Sequence, residues 1–119
     1  MDFVMWKVEF FELPSGNCPV YQFLSTLNKK TDLPYIDHIF SLAEEYGYEL
    51  QRPHSAPLRD KILELRVSTR NAKFRFLYFF DNRKIIITHG FKKKTRKVPN
   101  RQIEKAIEYR NIYFERRKR

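Results

Sequence analysis

The chain has 119 residues, a size that usually builds one hydrophobic core, so we expect residues 1–119 to form a single domain. Hydrophobic residues make up 42% and aromatic residues 16% of the chain, which excludes a disordered protein, and no apolar run approaches the roughly 20 residues that cross a membrane. The net charge of +10 favours a polyanionic partner, nucleic acid above all.

Residues 1–7 lack the long apolar run of an export signal, and Cys18 is the only cysteine, so no intramolecular disulfide can form. Both features predict a soluble, cytoplasmic protein. The first predicted element is a strand over Met5 to Phe11, which mixes aromatic and β-branched residues and precedes a turn at Pro14 to Asn17.

Two helices are predicted next. Pro19 suits the first position of a helix of about three turns, whose apolar residues recur at helical spacing. They are Val20, Phe23, Leu24 and Leu27. Thr31 and Asp32 are candidate N-caps of a second helix, which Gly47 ends. The two helices should form a hairpin, followed by a loop over residues 48–59.

Three strands follow, over Ile62 to Val67, Phe74 to Phe80 and Lys84 to His89. Turn candidates at Arg70-Asn71 and Asn82-Arg83 favour an antiparallel meander, with the strand over Phe74 to Phe80 at the centre of the sheet. After Pro99 the spacing of Ile103, Ala106, Ile107 and Phe114 predicts an amphipathic helix. The fold class is therefore α+β.

The positive charge lies mainly in the last quarter of the chain. Residues 92–119 carry 12 basic and 3 acidic residues, whereas residues 1–91 carry 12 and 11. A solubilising tail explains Arg116 to Arg119 at least as well as nucleic-acid binding does. The cluster over Lys92 to Lys97 favours phosphate binding, and repulsion among its lysines favours proton release from one of them.

Two arginines interrupt predicted strands. If Arg70-Asn71 forms a two-residue turn, Arg66 and Arg75 lie opposite each other on one sheet face, where both can bind a phosphate. The alternative is that each pairs with an acid such as Glu64 or Glu9.

Histidine is the usual proton carrier near neutral pH, and the chain has three. His54 and His89 are candidate acids or bases, and His38 is expected on the surface of the second helix. A turn at Asn82-Arg83 would pair His89 with Phe76 and turn it away from Arg75. No spacing typical of metal ligands is present, so we expect no metal site.

Three segments carry a family resemblance: residues 58–66, 74–80 and 89–99, with Cys18-Pro19-Val20 at the first helix. Together they resemble the RelE/ParE superfamily, and most closely the phage-derived HigB-like branch of type II toxins. The resemblance implies a compact α+β fold and metal-independent cleavage of mRNA on the ribosome, without a cofactor. It also implies a helix-turn-helix (HigA-like) antitoxin that joins the toxin in a hetero-oligomeric complex.

The resemblance also implies site residues. Catalytic positions match Arg66, Arg75, Lys93 and Lys94, and neighbouring basic residues are expected to contact RNA. These are Arg59, Lys61, Lys92, Arg96 and Lys97. Two positions depart from the pattern: Glu64 stands where RelE has Lys, and Val98 replaces the usual Thr, which leaves Asn100 as a candidate cap of the last helix.

Metal-free RNA cleavage uses the ribose 2′-OH as nucleophile, so the protein must position the backbone, stabilise charge on phosphorus and move two protons. Arginines and lysines suit these tasks. Two other functions remain open: a ParE-like inhibitor of DNA gyrase, and a non-catalytic RNA-binding or regulatory module.

Overall fold

The computed structural model describes residues 5–118. Residues 1–4 and Arg119 lie outside the described residues. The expectation of no export signal was based on residues 1–7, so part of that segment also lies outside. Within residues 5–118, none of the helices combines the length and the apolar character that crossing a membrane requires.

The chain forms one five-stranded sheet with helices on both faces. The strands and helices are β1 (Lys7–Phe10), α1 (Pro19–Leu24), α2 (Leu33–Tyr46), a short 3-10 helix (Gly47–Glu49), β2 (Ser55–Pro57), β3 (Leu63–Ser68), β4 (Lys73–Asp81), β5 (Lys84–Lys92) and α3 (Asn100–Arg117). The strand order is β1-β5-β4-β3-β2, with β1 parallel to β5 and every other pair antiparallel. The predicted α+β class and the central position of β4 are confirmed.

Alternating residues of β4 face two separate apolar clusters. On one face, Phe76 packs with Val20 of α1 and Ile36 of α2. On the other, Leu77 packs with Ile103 of α3. Because both faces are covered, β4 is buried along almost its whole length, which explains why its sequence is a nearly continuous apolar run.

The outer edge of β1 is covered by α2. The carboxylate of Glu44 accepts a hydrogen bond from the Val8 N–H (3.0 Å), and the Glu44 carbonyl accepts one from Trp6 (3.2 Å). The Lys7 and Phe11 N–H groups bond instead to carbonyls of Arg83 and Ile87 on the β5 side. Two outward-facing donors at this edge, the N–H groups of Trp6 and Val8, are therefore occupied.

The predicted loop over residues 48–59 is wrong in part, because it contains the 3-10 helix and the edge strand β2. This strand has three residues and ends at Pro57, which has no N–H to donate, so its sequence does not look like a strand. Its buried Ser55 hydroxyl is hydrogen-bonded to the Tyr78 hydroxyl of β4.

Helix α1 is shorter than the predicted three turns and ends at Leu24. The next two hydroxyls, of Ser25 and Thr26, bond to the carbonyls three residues earlier, which competes with helix continuation. The predicted caps also fail: Asp32 occupies the N-cap position of α2 without a side-chain cap bond, and Asn100 lies inside α3, where Pro99 holds that position.

The register of the meander is confirmed on one side and wrong on the other. Arg66 pairs with Arg75 across the Arg70-Asn71 turn, as predicted. Between β4 and β5 a bulge near Leu77 shifts the ladder, so His89 pairs with Leu77 rather than Phe76. Because side chains alternate along β4, His89 shares the sheet face of Arg75 instead of facing away from it.

Gly47 ends α2 with φ +53° and ψ −119°, a combination that strains any residue with a Cβ but not glycine. A Cβ at this position would lie 1.9 Å from the Trp6 ring. We expect Gly47→Ala to lower the free energy of unfolding by about 2 kcal/mol or more, since backbone strain and displacement of a core side chain add. Urea unfolding followed by fluorescence of the only tryptophan measures this loss, and Gly16→Ala, with open space around its Cβ, is the comparison.

Candidate functional site

Two arginines from neighbouring strands form the centre of the candidate site. Arg66 on β3 and Arg75 on β4 are directly opposite each other, so both side chains leave the same face of the sheet. Arg66 is half-buried, whereas Arg75 is buried and 6% exposed. One guanidinium nitrogen of Arg75, Nη1, donates to the carbonyl of Phe74 (3.0 Å), which fixes the side chain beside its own strand.

A buried carboxylate joins the two arginines. Oε1 of Glu64 lies 2.6 Å from Nε of Arg66 and 3.5 Å from Nε of Arg75. Its other oxygen, Oε2, is buried and has no hydrogen-bond partner within residues 5–118. Both interpretations of the arginines therefore apply: they lie together on one face, and they are also close to the carboxylate of Glu64. Glu9 is paired with Lys84 instead (3.3 Å).

Two lysines complete what we call the basic cluster, consisting of Arg66, Lys73, Arg75 and Lys93. Lys73 lies two residues before Arg75 and so shares its face. The backbone N–H of Lys93 donates to the Lys73 carbonyl (2.8 Å), which extends the β4–β5 ladder beyond the end of β5. The cluster therefore combines charges from β3, from β4 and from the residue that follows β5.

Burial lowers the pKa of the Lys93 ammonium, and the neighbouring Arg75 lowers this pKa further. The carboxylate of Glu64 opposes the shift, whereas Arg66 and Lys73 add to it. A lysine with a lowered pKa gives up its proton more readily. The repulsion expected among the lysines of residues 92–97 is not the cause, because the cations that lower this pKa lie on β3 and β4.

The other predicted residues of the basic segment lie around the cluster on the surface. Lys92, Lys94, Arg96 and Lys97 are exposed. Lys92 is paired with Phe74, which packs in the apolar cluster under α1 and α2, so its side chain leaves the opposite face from Lys93. The remaining three lie in the loop between β5 and α3.

Arg59 and Lys61 do not join the basic cluster. Arg59 is held by Asp60 (2.6 Å) and by the side chain of Asn100 at the start of α3 (3.2 Å from Nε). Lys61 is exposed in the same turn, with φ +64°. Both line a separate groove of about 830 Å³ that contains no member of the cluster.

His54 lies in a cavity of about 430 Å³ together with Arg66 and Arg75. Its carbonyl accepts a hydrogen bond from the Arg66 N–H (2.8 Å), which fixes the loop before β2 against the open edge of β3. His38 of α2 is exposed, as the sequence predicted, and it lines the same cavity. Two histidines are thus close to the arginine pair.

His89 is buried, and both of its ring nitrogens are hydrogen-bonded within the fold. Nδ1 is 2.9 Å from the Thr88 hydroxyl, and Nε2 is 2.9 Å from Oε1 of Gln102 on α3. Burial lowers the pKa of His89 to about 4, with a smaller opposing effect from the Gln102 hydrogen bond. These contacts suit a structural role between sheet and helix.

The low pKa of His89 makes stability depend on pH. Between pH 6.5 and 4 the unfolded chain binds a proton at this position that the folded chain does not, so stability falls as the pH falls through this range. Lowering the pH from 7.5 to 4.5 should cost about 2 to 3 kcal/mol. Urea titrations at both pH values should show a smaller loss for His89→Gln, and an equal loss in both proteins would contradict the assignment.

The basic cluster can bind a phosphodiester and offer a proton-transfer group beside it. Arginine forks donate to two phosphate oxygens and keep their charge at any working pH. Within residues 5–118, no three His, Cys, Asp or Glu side chains group together as they would around a metal ion. The chemistry available from these residues is positioning, charge stabilisation and proton movement.

Sequence reasoning missed three residues near the arginine pair: Lys73, Tyr35 and His38. Lys73 fell just outside the predicted strand, although its spacing of two from Arg75 would have placed it on the same face. Tyr35 and His38 are three residues apart on α2, which puts them on one helix face. Only the folding of α2 over the edge of β3 brings that face to the site.

Comparison with known proteins identifies the family. Residues 22–111 match the family model described as Phage derived protein Gp49-like (DUF891). A search of curated proteins found no match. The matched segment contains the end of α1, all of α2 and β2 to β5, every member of the basic cluster and most of α3. The chain belongs to the Gp49-like family of phage-derived proteins, which is a family of RelE/HigB-like toxins.

Proposed function

We propose that this protein is the toxin of a type II toxin–antitoxin system and cleaves mRNA without a metal ion. The observation that carries the proposal is the convergence of Arg66, Arg75 and Lys93 on one end of one sheet face. Membership of a family of RelE/HigB-like toxins supports it. Within that family we assign the chain to the HigB-like branch, acting in the cytoplasm on mRNA bound to the ribosome.

In the proposed reaction the ribose 2′-oxygen attacks the adjacent phosphorus, and the bond to the 5′-oxygen breaks. The products are a 2′,3′-cyclic phosphate and a 5′-hydroxyl. Arg75 and Arg66 donate hydrogen bonds to the phosphoryl oxygens, where negative charge grows in the transition state. Glu64 accepts a hydrogen bond from Nε of Arg66 (2.6 Å) and lies 3.5 Å from Nε of Arg75, so its charge keeps the two guanidinium groups close together, where their remaining N–H groups can donate to the phosphate.

Two protons must move during this reaction, one from the 2′-OH and one to the leaving 5′-oxygen. Lys93 is the proposed proton acceptor, because burial and its cationic neighbours lower its pKa. His54 is the proposed donor, since it lies in the cavity beside both arginines. The exposed Lys94, Arg96 and Lys97 bind the flanking backbone.

The test is brief induction in cells followed by mapping of transcript 5′ ends, together with product analysis of a purified cleavage reaction. We expect discrete cuts in frame with codons, and products that end in a cyclic phosphate and a 5′-hydroxyl. DNA damage without transcript cuts would overturn the proposal in favour of gyrase inhibition. Binding of RNA with neither effect would leave a non-catalytic module.

The proposed partner is a HigA-like helix-turn-helix antitoxin, with which the toxin forms a hetero-oligomer. Its charge should be complementary to the chain's net +10, because opposite charges speed association. Expression of the toxin alone should arrest growth, and expression with the neighbouring gene should restore it. If the protein is harmless alone and the neighbour's product does not co-purify with it, this partnership is wrong.

The basic segment after β5 should control the salt dependence of RNA binding. Replacing Lys92, Lys93, Lys94 and Lys97 with Gln should reduce the slope of log affinity against log salt by about 0.7 for each phosphate that the variant no longer binds. Filter binding to a single-stranded RNA at several salt concentrations measures the slope. The control removes the same charge from the exposed residues Lys7, Lys29, Lys30 and Lys118. Equal slopes in both variants would mean that the segment is only a solvated surface.

A further inference from the structure

The cavity beside the arginine pair has walls of two kinds. It measures about 430 Å³ and lies where β2 stops pairing with β3, so within residues 5–118 the outer edge of β3 has no partner strand from Arg66 onwards. One wall carries the rings of Tyr35, His38 and His54, and the other carries Arg66, Lys73 and Arg75. Aromatic rings and cationic side chains therefore line the same cavity.

The ring wall is available to a ligand. Tyr35 is 52% exposed, and within residues 5–118 its ring stacks on no other aromatic side chain. His38 follows it by three residues on the same helix face and is also exposed. Ile39 of the same helix also lines the cavity and is buried in the apolar cluster, which anchors this part of α2 to the sheet.

The backbone that carries the third ring, that of His54, is held in place. The Arg66 N–H donates to the carbonyl of His54, so the loop before β2 cannot move away from the arginine without breaking this bond of 2.8 Å. The distance between the ring wall and the cations is therefore set by β3 and by α2, which packs against that strand. A ligand that spans the walls needs a planar group joined to an anion.

We propose that this cavity binds one nucleobase of the RNA, adjacent to the phosphate held by the arginine pair. Its volume lies in the lower part of the range for small-molecule sites, which suits a single nucleotide. Unpaired bases commonly stack on Tyr and His rings, and histidine nitrogens also hydrogen-bond to base edges. The inference rests on the proposed function, since it names the part of the substrate that this site takes.

The experiment compares two non-cleavable probes. One is a dinucleotide with a 2′-O-methyl group on the ribose beside the phosphate, and the other is the same compound with an abasic sugar on one side. We expect the complete dinucleotide to shift the NMR signals of the His38 and His54 rings and the abasic form to leave them almost unchanged. Tyr35→Leu should weaken binding of the dinucleotide roughly tenfold and leave the abasic form unaffected.

The matched control is Tyr46→Leu, because Tyr46 lies on the same helix, is 45% exposed and does not line the cavity. This variant should bind both probes as the unmodified protein does. Equal affinity for the two probes, or an equal loss with Tyr35→Leu and Tyr46→Leu, would overturn the base site.

The outcome separates this inference from the proposed function. If the protein cleaves RNA but Tyr35→Leu binds the dinucleotide normally, the base site is wrong and the nuclease stands. If Tyr35 contributes to dinucleotide binding but no RNA is cut, the cavity binds bases and the proposed chemistry is wrong.

Discussion

Arg75→Lys is expected to reduce RNA cleavage roughly 100-fold or more while the protein stays folded. Lysine keeps the positive charge beside Glu64 but loses the planar fork that donates to two phosphate oxygens. The loss should therefore appear in the rate of cleavage under single-turnover conditions and only slightly in RNA affinity. Single-turnover rates with a short RNA, together with a fluorescence melting curve, measure the cleavage rate and the folding of the variant.

The control for this variant is Arg83→Lys. Arg83 lies in the turn between β4 and β5, at the other end of β4, where its guanidinium is 4.7 Å from the centre of the Trp6 ring. Cleavage by this variant should match that of the unmodified protein. A folded Arg75→Lys that cuts RNA at the unmodified rate would remove Arg75 from the mechanism.

Glu64→Ala is expected to lower the free energy of unfolding by about 3 to 5 kcal/mol. Glu64 is buried, with a relative exposure of 2%, and its carboxylate is 3.5 Å from Nε of the buried Arg75. Removing it leaves the buried guanidinium of Arg75 without its counter-ion. Urea unfolding measures the loss, and Glu45→Ala on the exposed face of α2 should change stability by about 0.5 kcal/mol at most.

A double variant separates the cost of an unpaired charge from the cost of a cavity. Glu64→Leu with Arg75→Leu removes both charges and fills the space, so it should be more stable than Glu64→Ala. If the double variant is as unstable as Glu64→Ala, the loss comes from packing, and the electrostatic explanation is wrong.

The register of the arginine pair could be predicted from the sequence because it depends on local features. A two-residue turn at Arg70-Asn71 fixes the alignment of β3 and β4, and alternation along each strand then places Arg66 and Arg75 on the same face. The same reasoning failed for His89. An extra residue in the β5 ladder moves every later pair by one, and the apolar run around Thr88 does not indicate where the bulge lies.

The rest of the site depends on contacts between distant segments. Tyr35 and His38 lie on α2, about thirty residues before Arg66 in the printed sequence, and reach the arginines only because α2 packs over β3. Glu64 shows the same limit: its position two residues before Arg66 indicated an ion pair, but not that the carboxylate is buried between both arginines. Tertiary packing decided both points.

The covered edge of β1 affects how copies of this protein can associate. An exposed edge strand is a template on which a second molecule can extend the sheet, the first step of many aggregates. A foreign strand could add beside Trp6 and Val8 only after displacing Glu44, and Pro57 offers no donor at the opposite edge, on β2. Strand addition at these two positions is therefore blocked. Within residues 5–118, the stretch of β3 beyond Arg66, which has no partner strand, is the remaining place at which a second molecule could extend the sheet.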